Sequence, residues 1–322
     1  MKRTIDFTTS LAVTCVTAVI LALPLARPAA AQDRDVRRVD TTFAFGRNGW
    51  LDVAIPSGTI IVQGWTRPEA RVVGRIERGY LVTEISASRI GLATRSERSS
   101  SRDRNRNSGN ETVYEVTVPI GTRVMATSAG GDIRIRGTAG EVQATSAGGN
   151  IEVVDAADRI TVQTVGGDIR VEKARGRVSI ATTGGDLELD DIIGPLTVRA
   201  VSSDMRISRV ESSDVRIGST SGDITYEGTV DPRGIYELST HSGDVGFAIP
   251  SGSGAILSLQ TYNGEISSAF PMTLQPGENL RRQRGRRMEF EIGGGGARVS
   301  ITTFSGDITI SRGFPRPGRE ER

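Results

Sequence analysis

One short motif recurs along most of the chain: a glycine, then an acidic or amide residue, then an aliphatic residue. We name the acidic or amide positions anchors. They are Asp132, Asn150, Asp168, Asp186, Asp204, Asp223, Asp244, Glu265 and Asp307. Successive anchors are 18, 18, 18, 18, 19, 21, 21 and 42 residues apart. A fixed period of this length is typical of repeat proteins, and the doubled last interval predicts that one repeat there has lost its motif.

Aliphatic residues keep fixed distances from each anchor. The first and third positions after the anchor are Ile133 and Ile135 in one repeat and Ile151 and Val153 in the next. The sixth and eighth positions before the anchor are also apolar, and this alternate spacing indicates two short strands per repeat. Strands this short cannot bury a face alone, so the repeats must stack. The predicted fold is an all-β parallel β-solenoid with two short strands per 18–21-residue coil and about ten coils.

The glycine turns form a predicted structural ladder along the stack. Its clearest members are Gly131, Asp132, Gly149, Asn150, Gly167, Asp168, Gly185 and Asp186. We expect the glycines to adopt positive φ, which they do without steric cost. Stacked carboxylates repel one another unless something satisfies them, so they bind either calcium ions or backbone N–H groups of the turns. The chain lacks the second glycine and second half-repeat of calcium-binding β-rolls, so we predict no metal site; EDTA should leave the melting temperature unchanged.

The residues two positions after the anchors alternate in charge. They are Arg134, Glu152, Arg170, Glu188 and Arg206. In-register stacking places opposite charges beside each other at every step, and each such pair contributes only about 0.2–1 kcal/mol. Burial of aliphatic side chains, at about 1.5–3 kcal/mol each, supplies far more. The charged column is therefore expected to select the register rather than to supply the stability.

The N-terminal residues 1–31 have the layout of a secretory signal peptide. Lys2 and Arg3 precede an apolar stretch, and Ala29-Ala30-Ala31 offers a cleavage site before Gln32. A retained membrane anchor is the alternative, but the apolar stretch is shorter than the ~20 residues that a spanning helix needs. We therefore predict an exported protein, periplasmic, surface-bound or secreted, with no stable membrane span after cleavage.

Removal of this segment changes the composition in two ways that matter. It takes away Cys15, the single cysteine, so the mature chain must be stable without disulfides. It also takes three of the 40 basic and one of the 38 acidic residues, which leaves 37 of each. A net charge of zero gives no general attraction to polyanions, so we predict no nucleic-acid partner.

The mature chain is predicted to contain one domain. A linker at 32–39 precedes a solenoid at 40–312, whose first coil has Thr59 in the place of the anchor. The polar segment 96–110 has almost no apolar residue and is predicted to be a mobile loop. An Arg-rich interruption lies near 281–287, and a disordered tail is expected at 313–322.

The Arg-rich interruption is a candidate site for an anionic ligand. Its basic residues are Arg281, Arg282, Arg284, Arg286 and Arg287. Guanidinium groups bind phosphates and carboxylates of envelope components, although a solvated loop explains the same residues. Replacement of all five by Ser should abolish retention on anionic glycan or lipid if the site exists.

No catalytic or cofactor-binding arrangement is recognisable, so we predict that the protein is not an enzyme and holds no cofactor. His241 is the single histidine, which excludes a histidine-based metal site or catalytic triad. A carbohydrate-active β-helix is the weaker alternative, with Asp190, Asp191 and Asp204 as nearby acids. However, Asp190 and Asp191 are adjacent in a strand and should face opposite sides.

The repeated glycine–acid–aliphatic motif after a signal peptide resembles the bacterial "putative adhesin" family of domains of unknown function. The resemblance covers roughly residues 40–312 and is strongest from 121 to 310. It implies a right-handed β-solenoid in the envelope or outside the cell and brings no catalytic residues. We therefore expect an interaction module that binds an envelope component, a glycan or a protein. A structural or regulatory envelope protein without adhesive ligand is the alternative, and end coils with free strand edges could associate end to end.

Overall fold

The computed structural model describes residues 38–75, 80–95, 112–271, 273–274 and 287–313. These residues belong to one compact unit, Asp33–Arg322. The predicted signal peptide, the predicted loop at 96–110, the Arg-rich segment up to Arg286 and the tail from 314 lie outside the described residues. Of the predicted linker, Arg38 and Val39 already belong to the first strand, and Gly313 of the predicted disordered tail is wrongly assigned because it ends the last strand.

The described residues form β-strands and no helices. The strands are β1 (Arg38–Ala44), β2 (Trp50–Ile55), β3 (Thr59–Trp65), β4 (Glu69–Arg75), β5 (Tyr80–Ile85), β6 (Arg89–Arg95), β7 (Val113–Pro119), β8 (Arg123–Ser128), β9 (Asp132–Thr138), β10 (Val142–Ser146), β11 (Ile151–Gly166), β12 (Ile169–Gly184), β13 (Leu187–Ile193), β14 (Leu196–Ser202), β15 (Met205–Glu211), β16 (Asp214–Gly218), β17 (Ile224–Gly228), β18 (Ile235–Ser242), β19 (Val245–Pro250), β20 (Ala255–Asn263), β21 (Ile266–Ser268), β22 (Thr273–Leu274), β23 (Met288–Ile292), β24 (Ala297–Ser305) and β25 (Ile308–Gly313).

Equivalent strands of successive repeats pair in parallel and in register. Ile151 lies between Ile133 and Ile169, and Glu152 lies between Arg134 and Arg170. The same register continues through β13, β15, β17 and β19. Thr59 stands beside Asp132, as predicted for the first coil. The prediction of an all-β, solenoid-like stack is therefore confirmed.

Alternate residues of each strand fill the interior. Ile133, Ile151 and Ile169 are at most 1% exposed, whereas the charged residues that follow them face outward. Three aromatic rings fill the interior of the later coils, where Tyr226 stacks on Phe247 with centroids 5.0 Å apart. Burial raises the pKa of Tyr226 above its ordinary value because the charged phenolate would lose its hydration. The apolar columns read from the sequence thus form a continuous core.

In the middle of the stack, a corner with left-handed backbone lies within each strand that follows an anchor, in β9, β11, β12, β13 and β15. The residues five positions after successive anchors are Gly137, Asp155, Lys173, Asp191 and Arg209, with φ between 52° and 69°. Only the first is glycine, although this conformation costs other residues about 1–2 kcal/mol. These corners therefore could not be recognised from glycines, and we infer that stacking of the flanking strands holds the strained residues in place.

The coil order at the C-terminal end differs from the sequence order. Strand β24 lies between β18 and β20, and β25 lies between β19 and β21. The final repeat is thus inserted between the coils of Asp244 and Glu265. The prediction that a coil in the doubled interval had lost its motif is wrong, because the chain uses that interval for β22 and β23 before it returns.

Antiparallel strands pair with the outer coils at both ends. At one end β4 pairs with β7 and β1 with β4, while β5 pairs with β6. At the other end β23 pairs with β20 and β22 with β23. Such strands occupy edges that would otherwise be open to other chains. The prediction of a purely parallel solenoid did not include these antiparallel strands.

Candidate functional site

The anchors form a hydrogen-bonded ladder that runs along the stack. The backbone N–H of Asp168 donates to Asn150 Oδ1 at 2.9 Å, and the N–H of Asp186 donates to Asp168 Oδ1 at 3.0 Å. The same bond joins Asn150 to Asp132, Asp223 to Asp204, Asp244 to Asp223, Asp307 to Asp244 and Glu265 to Asp307. The anchor side chains in these pairs thus accept backbone N–H groups, but the prediction that each accepts within its own turn is wrong, because each of these donors belongs to the neighbouring coil.

The glycine before each anchor is required by close approach between coils. A Cβ at Gly149 would lie 2.2 Å from the carbonyl oxygen of Gly131, and one at Gly167 would lie 2.3 Å from that of Gly149. Neither residue has positive φ, whereas Gly185 does, at 90°. The prediction of positive φ is therefore confirmed for Gly185 and wrong for Gly131, Gly149 and Gly167, where the missing side chain is what matters.

Buried hydroxyl groups complete the turns from the inside. Ser128 Oγ accepts from the N–H of Gly131 at 2.7 Å, and Ser146 Oγ accepts from the N–H of Gly149 at 2.9 Å. Both serines are buried. These bonds satisfy backbone groups that would otherwise be buried without a partner. The turns are therefore fixed on both sides, which holds the outward residues of neighbouring coils in a regular array.

The ladder predicts different effects for two substitutions of Asp168. Asp168→Ala removes the acceptor for the N–H of Asp186 and should lower the free energy of unfolding by about 1 kcal/mol. Asp168→Asn should change it little, because Asn150 fills the same role through its amide oxygen. Urea denaturation of the three proteins measures the difference. Equal losses for Ala and Asn would show that the carboxylate charge, and not the hydrogen bond, matters.

A groove of about 940 Å³ follows the anchor ladder across the middle coils. Its walls include the anchors from Asp132 to Asp223 and the outward column Arg134, Glu152, Arg170, Glu188, Arg206 and Thr225. We name this surface the charged groove. It lies on the strands that follow the anchors in the sequence. Regular stacking sets the spacing of its side chains at about 4.8 Å per coil.

Ion pairs run along the charged groove as the alternating sequence predicted. Arg134 contacts Asp132 at 3.1 Å and Glu152 at 4.0 Å, while Arg170 contacts Glu172 and Glu188. The hydrogen bond to Glu172, together with the charges of the neighbouring carboxylates, raises the pKa of Arg170 above its ordinary value. These groups are partly exposed, so each pair adds little stability. Their charges remain available to a partner that lies along the groove.

An exposed aromatic stack lies at the other end of the same series of turns. The rings of His241 and Phe304 are 4.8 Å apart and those of Phe304 and Tyr262 are 5.2 Å apart, both nearly parallel. Each residue stands three positions before its anchor, so the shared column is visible in the sequence. The contact itself was missed because it depends on the inserted final coil.

The remaining sequence-based candidates do not come together in one site. Asp190 accepts from Ser208 Oγ at 2.8 Å and pairs with Arg209, Asp191 lies in a left-handed corner, and Asp204 belongs to the ladder. Of the Arg-rich candidate, only Arg287 is described, and it is exposed. Within the described ranges, no three His, Cys, Asp or Glu side chains are placed to hold a metal ion. The same ranges contain no helix long and apolar enough to cross a membrane.

Two solved structures resemble this chain, each at 10% identity. One, from Clostridium sporogenes ATCC 15579, is described as a "putative cell adhesion protein"; the match covers 85% of this chain and 99% of that one, with a TM-score of 0.22. The other, from Bacteroides fragilis NCTC 9343, is described as a "putative adhesin"; the match covers 85% and 96%, with a TM-score of 0.38. No curated protein matches the chain.

The family comparison agrees with the repeat analysis. The model of the family described as Toastrack DUF4097 matches residues 105–311, which is more than half of the chain. The matched segment includes every anchor from Asp132 to Asp307. The chain belongs to the Toastrack DUF4097 family.

Proposed function

We propose that this protein is an exported, non-enzymatic interaction module of the cell envelope or cell surface. It binds an envelope component, a glycan or a protein along the charged groove. The stack of coils, wound right-handed with about ten coils, serves as a rigid support for the groove.

The regularity of the charged groove is the observation that carries this proposal. Opposite charges alternate from Arg134 to Arg206 on strands whose turns are joined by bonds of the anchor ladder, and buried serines fix two of those turns from inside. A preorganised surface loses little side-chain and backbone freedom on binding, which favours affinity. Complementary charges would also determine partner choice and alignment. The groove thus has the properties of a recognition surface for an elongated, charged partner.

A matched set of arginine variants tests the proposal. Arg134→Gln, Arg170→Gln and Arg206→Gln together remove the positive charges of the groove. The control variant combines Arg159→Gln, Arg177→Gln and Arg199→Gln. These substitutions remove three exposed charges from the strand segments that precede the anchors. We expect the unchanged chain and the second variant to retain the same component of an envelope extract. The groove variant should retain at most about one tenth as much of that component.

Two outcomes would contradict the proposal. Equal retention by both variants would remove the groove as the contact surface, and the absence of any retained component would favour a structural or regulatory envelope role. Melting temperatures of the variants must match for either conclusion. Cell fractionation tests export separately: the mature chain should be recovered outside the cytoplasm.

A further inference from the structure

The aromatic stack of His241, Phe304 and Tyr262 exposes more apolar surface than the core requires. Phe304 is 43% exposed and Tyr262 is 46% exposed, although Phe304 stands next to the buried Thr303. In other coils the same column contains small residues such as Ala129 and Ala147. Exposed aromatic clusters are a feature of protein interaction sites, because rings supply large contact area with few rotatable bonds.

The charge around the stack differs from that in the charged groove. Three positions after the rings come Asp244, Asp307 and Glu265, all exposed. Two positions further on, where the groove carries arginines, these coils have Gly246, Thr309 and Ser267. Among the ion pairs of the described residues, none involves these three carboxylates. Each ring thus stands three positions before a carboxylate that forms no ion pair with another described residue.

The exposed rings and the exposed carboxylates together favour a cationic partner. Aromatic faces attract guanidinium and ammonium groups, and the attraction grows when water is excluded. The same chain shows this contact twice, with Arg67 5.3 Å from the ring centre of Trp65 and Arg312 5.5 Å from that of Phe270. Carboxylates accept charge-assisted hydrogen bonds from the same groups. An anionic lipid surface or acidic glycan would instead be repelled by the carboxylates.

We propose that the aromatic stack, with the carboxylates of Asp244, Asp307 and Glu265, binds an extended arginine-rich or lysine-rich peptide segment of a partner protein. The rings and the carboxylates both repeat once per coil, so an extended segment parallel to the stack meets them in succession. Basic side chains lie against the rings and bond to the carboxylates. This site is separate from the charged groove, so either can fail without the other.

A labelled peptide tests the site directly. Fluorescence anisotropy would measure binding of a fluorescein-labelled octapeptide of alternating Arg and Ser to the full chain. Phe304→Ser with Tyr262→Ser should weaken binding by about tenfold or more, as expected for aromatic anchor residues. Val165→Ser with Val201→Ser should leave it unchanged, because these valines are exposed in the same column, at 59% and 48%, but belong to coils outside the aromatic stack.

A second pair of variants tests the charge. Asp244→Asn with Asp307→Asn should weaken peptide binding while the anchor ladder persists, since Asn150 shows that an amide oxygen accepts the same bond. The matched peptide with Glu in place of Arg should not bind. Equal binding by the aromatic variant and the unchanged chain would overturn the proposal. Preferential binding of the Glu peptide would also overturn it. So would a result in which the carboxylate variant loses peptide binding while the aromatic variant keeps it, because the peptide would then be attracted by charge without a ring contact.

Discussion

Gly167→Ala should lower the free energy of unfolding by about 3 kcal/mol or more. A Cβ at Gly167 would lie 2.3 Å from the carbonyl oxygen of Gly149 and 2.6 Å from its carbonyl carbon. Both atoms are backbone, so no side-chain rotation relieves the overlap. The coils would have to separate locally, which would lengthen the bond from Asp168 N–H to Asn150 Oδ1.

The adjacent glycine provides the control. A Cβ at Gly166 would meet nothing within 4 Å, and this residue does not have positive φ. Gly166→Ala should therefore leave stability unchanged or raise it by about 0.5 kcal/mol, since alanine restricts the unfolded chain. Urea denaturation and thermal melting of both variants measure the contrast. Similar melting temperatures would contradict the close approach between the turns.

Engineered disulfides should form only between coils that are neighbours in the stack. Glu237→Cys with Ser300→Cys, and Ser258→Cys with Ser300→Cys, place the thiols on directly paired residues of β18, β24 and β20. Paired strands are about 4.8 Å apart, which falls within the Cα range of disulfides. Both variants should oxidise almost completely. Cys15 is replaced by Ser throughout, so that no other thiol competes.

The third pair distinguishes the inserted order from a sequential one. Glu237→Cys with Ser258→Cys should not oxidise, because β24 lies between the two strands and the separation of about 10 Å exceeds the disulfide limit of roughly 7 Å. Stacking in sequence order would reverse this result, since β18 and β20 would then be neighbours. Mass spectrometry of the oxidised proteins identifies the linked residues. A disulfide in this third variant would contradict the inserted final coil.

The two proposed surfaces occupy different parts of the stack, and both lie within the segment that the family model matches. The charged groove extends from the coil of Asp132 to that of Asp223, and the aromatic stack belongs to the coils of Asp244, Asp307 and Glu265. The outward positions are balanced in charge in the first region and acidic in the second. One scaffold thus presents two surfaces of different chemistry, and each has its own test.

Residues that stack in sequence order were predictable from the sequence. The columns of Ile133, Ile151 and Ile169 and of Arg134, Glu152 and Arg170 follow from a constant repeat length. A constant length places equivalent residues above one another, and alternate residues of a strand face opposite sides. The core, the register and the charged groove therefore depend on local spacing alone. Membership of the family rests on the same motif.

The tertiary structure alone decided the coil order, the antiparallel ends, the non-glycine corners and the aromatic stack. Every repeat carries nearly the same apolar columns, so the sequence of the coil at Asp307 fits equally beside Asp244 or beyond Glu265. In the structure it lies between them, where its strands pair on both sides and Phe304 packs between His241 and Tyr262. Local periodicity determines the strands and buried positions of each coil. The order of the coils in the stack depends instead on the total strand pairing of all coils.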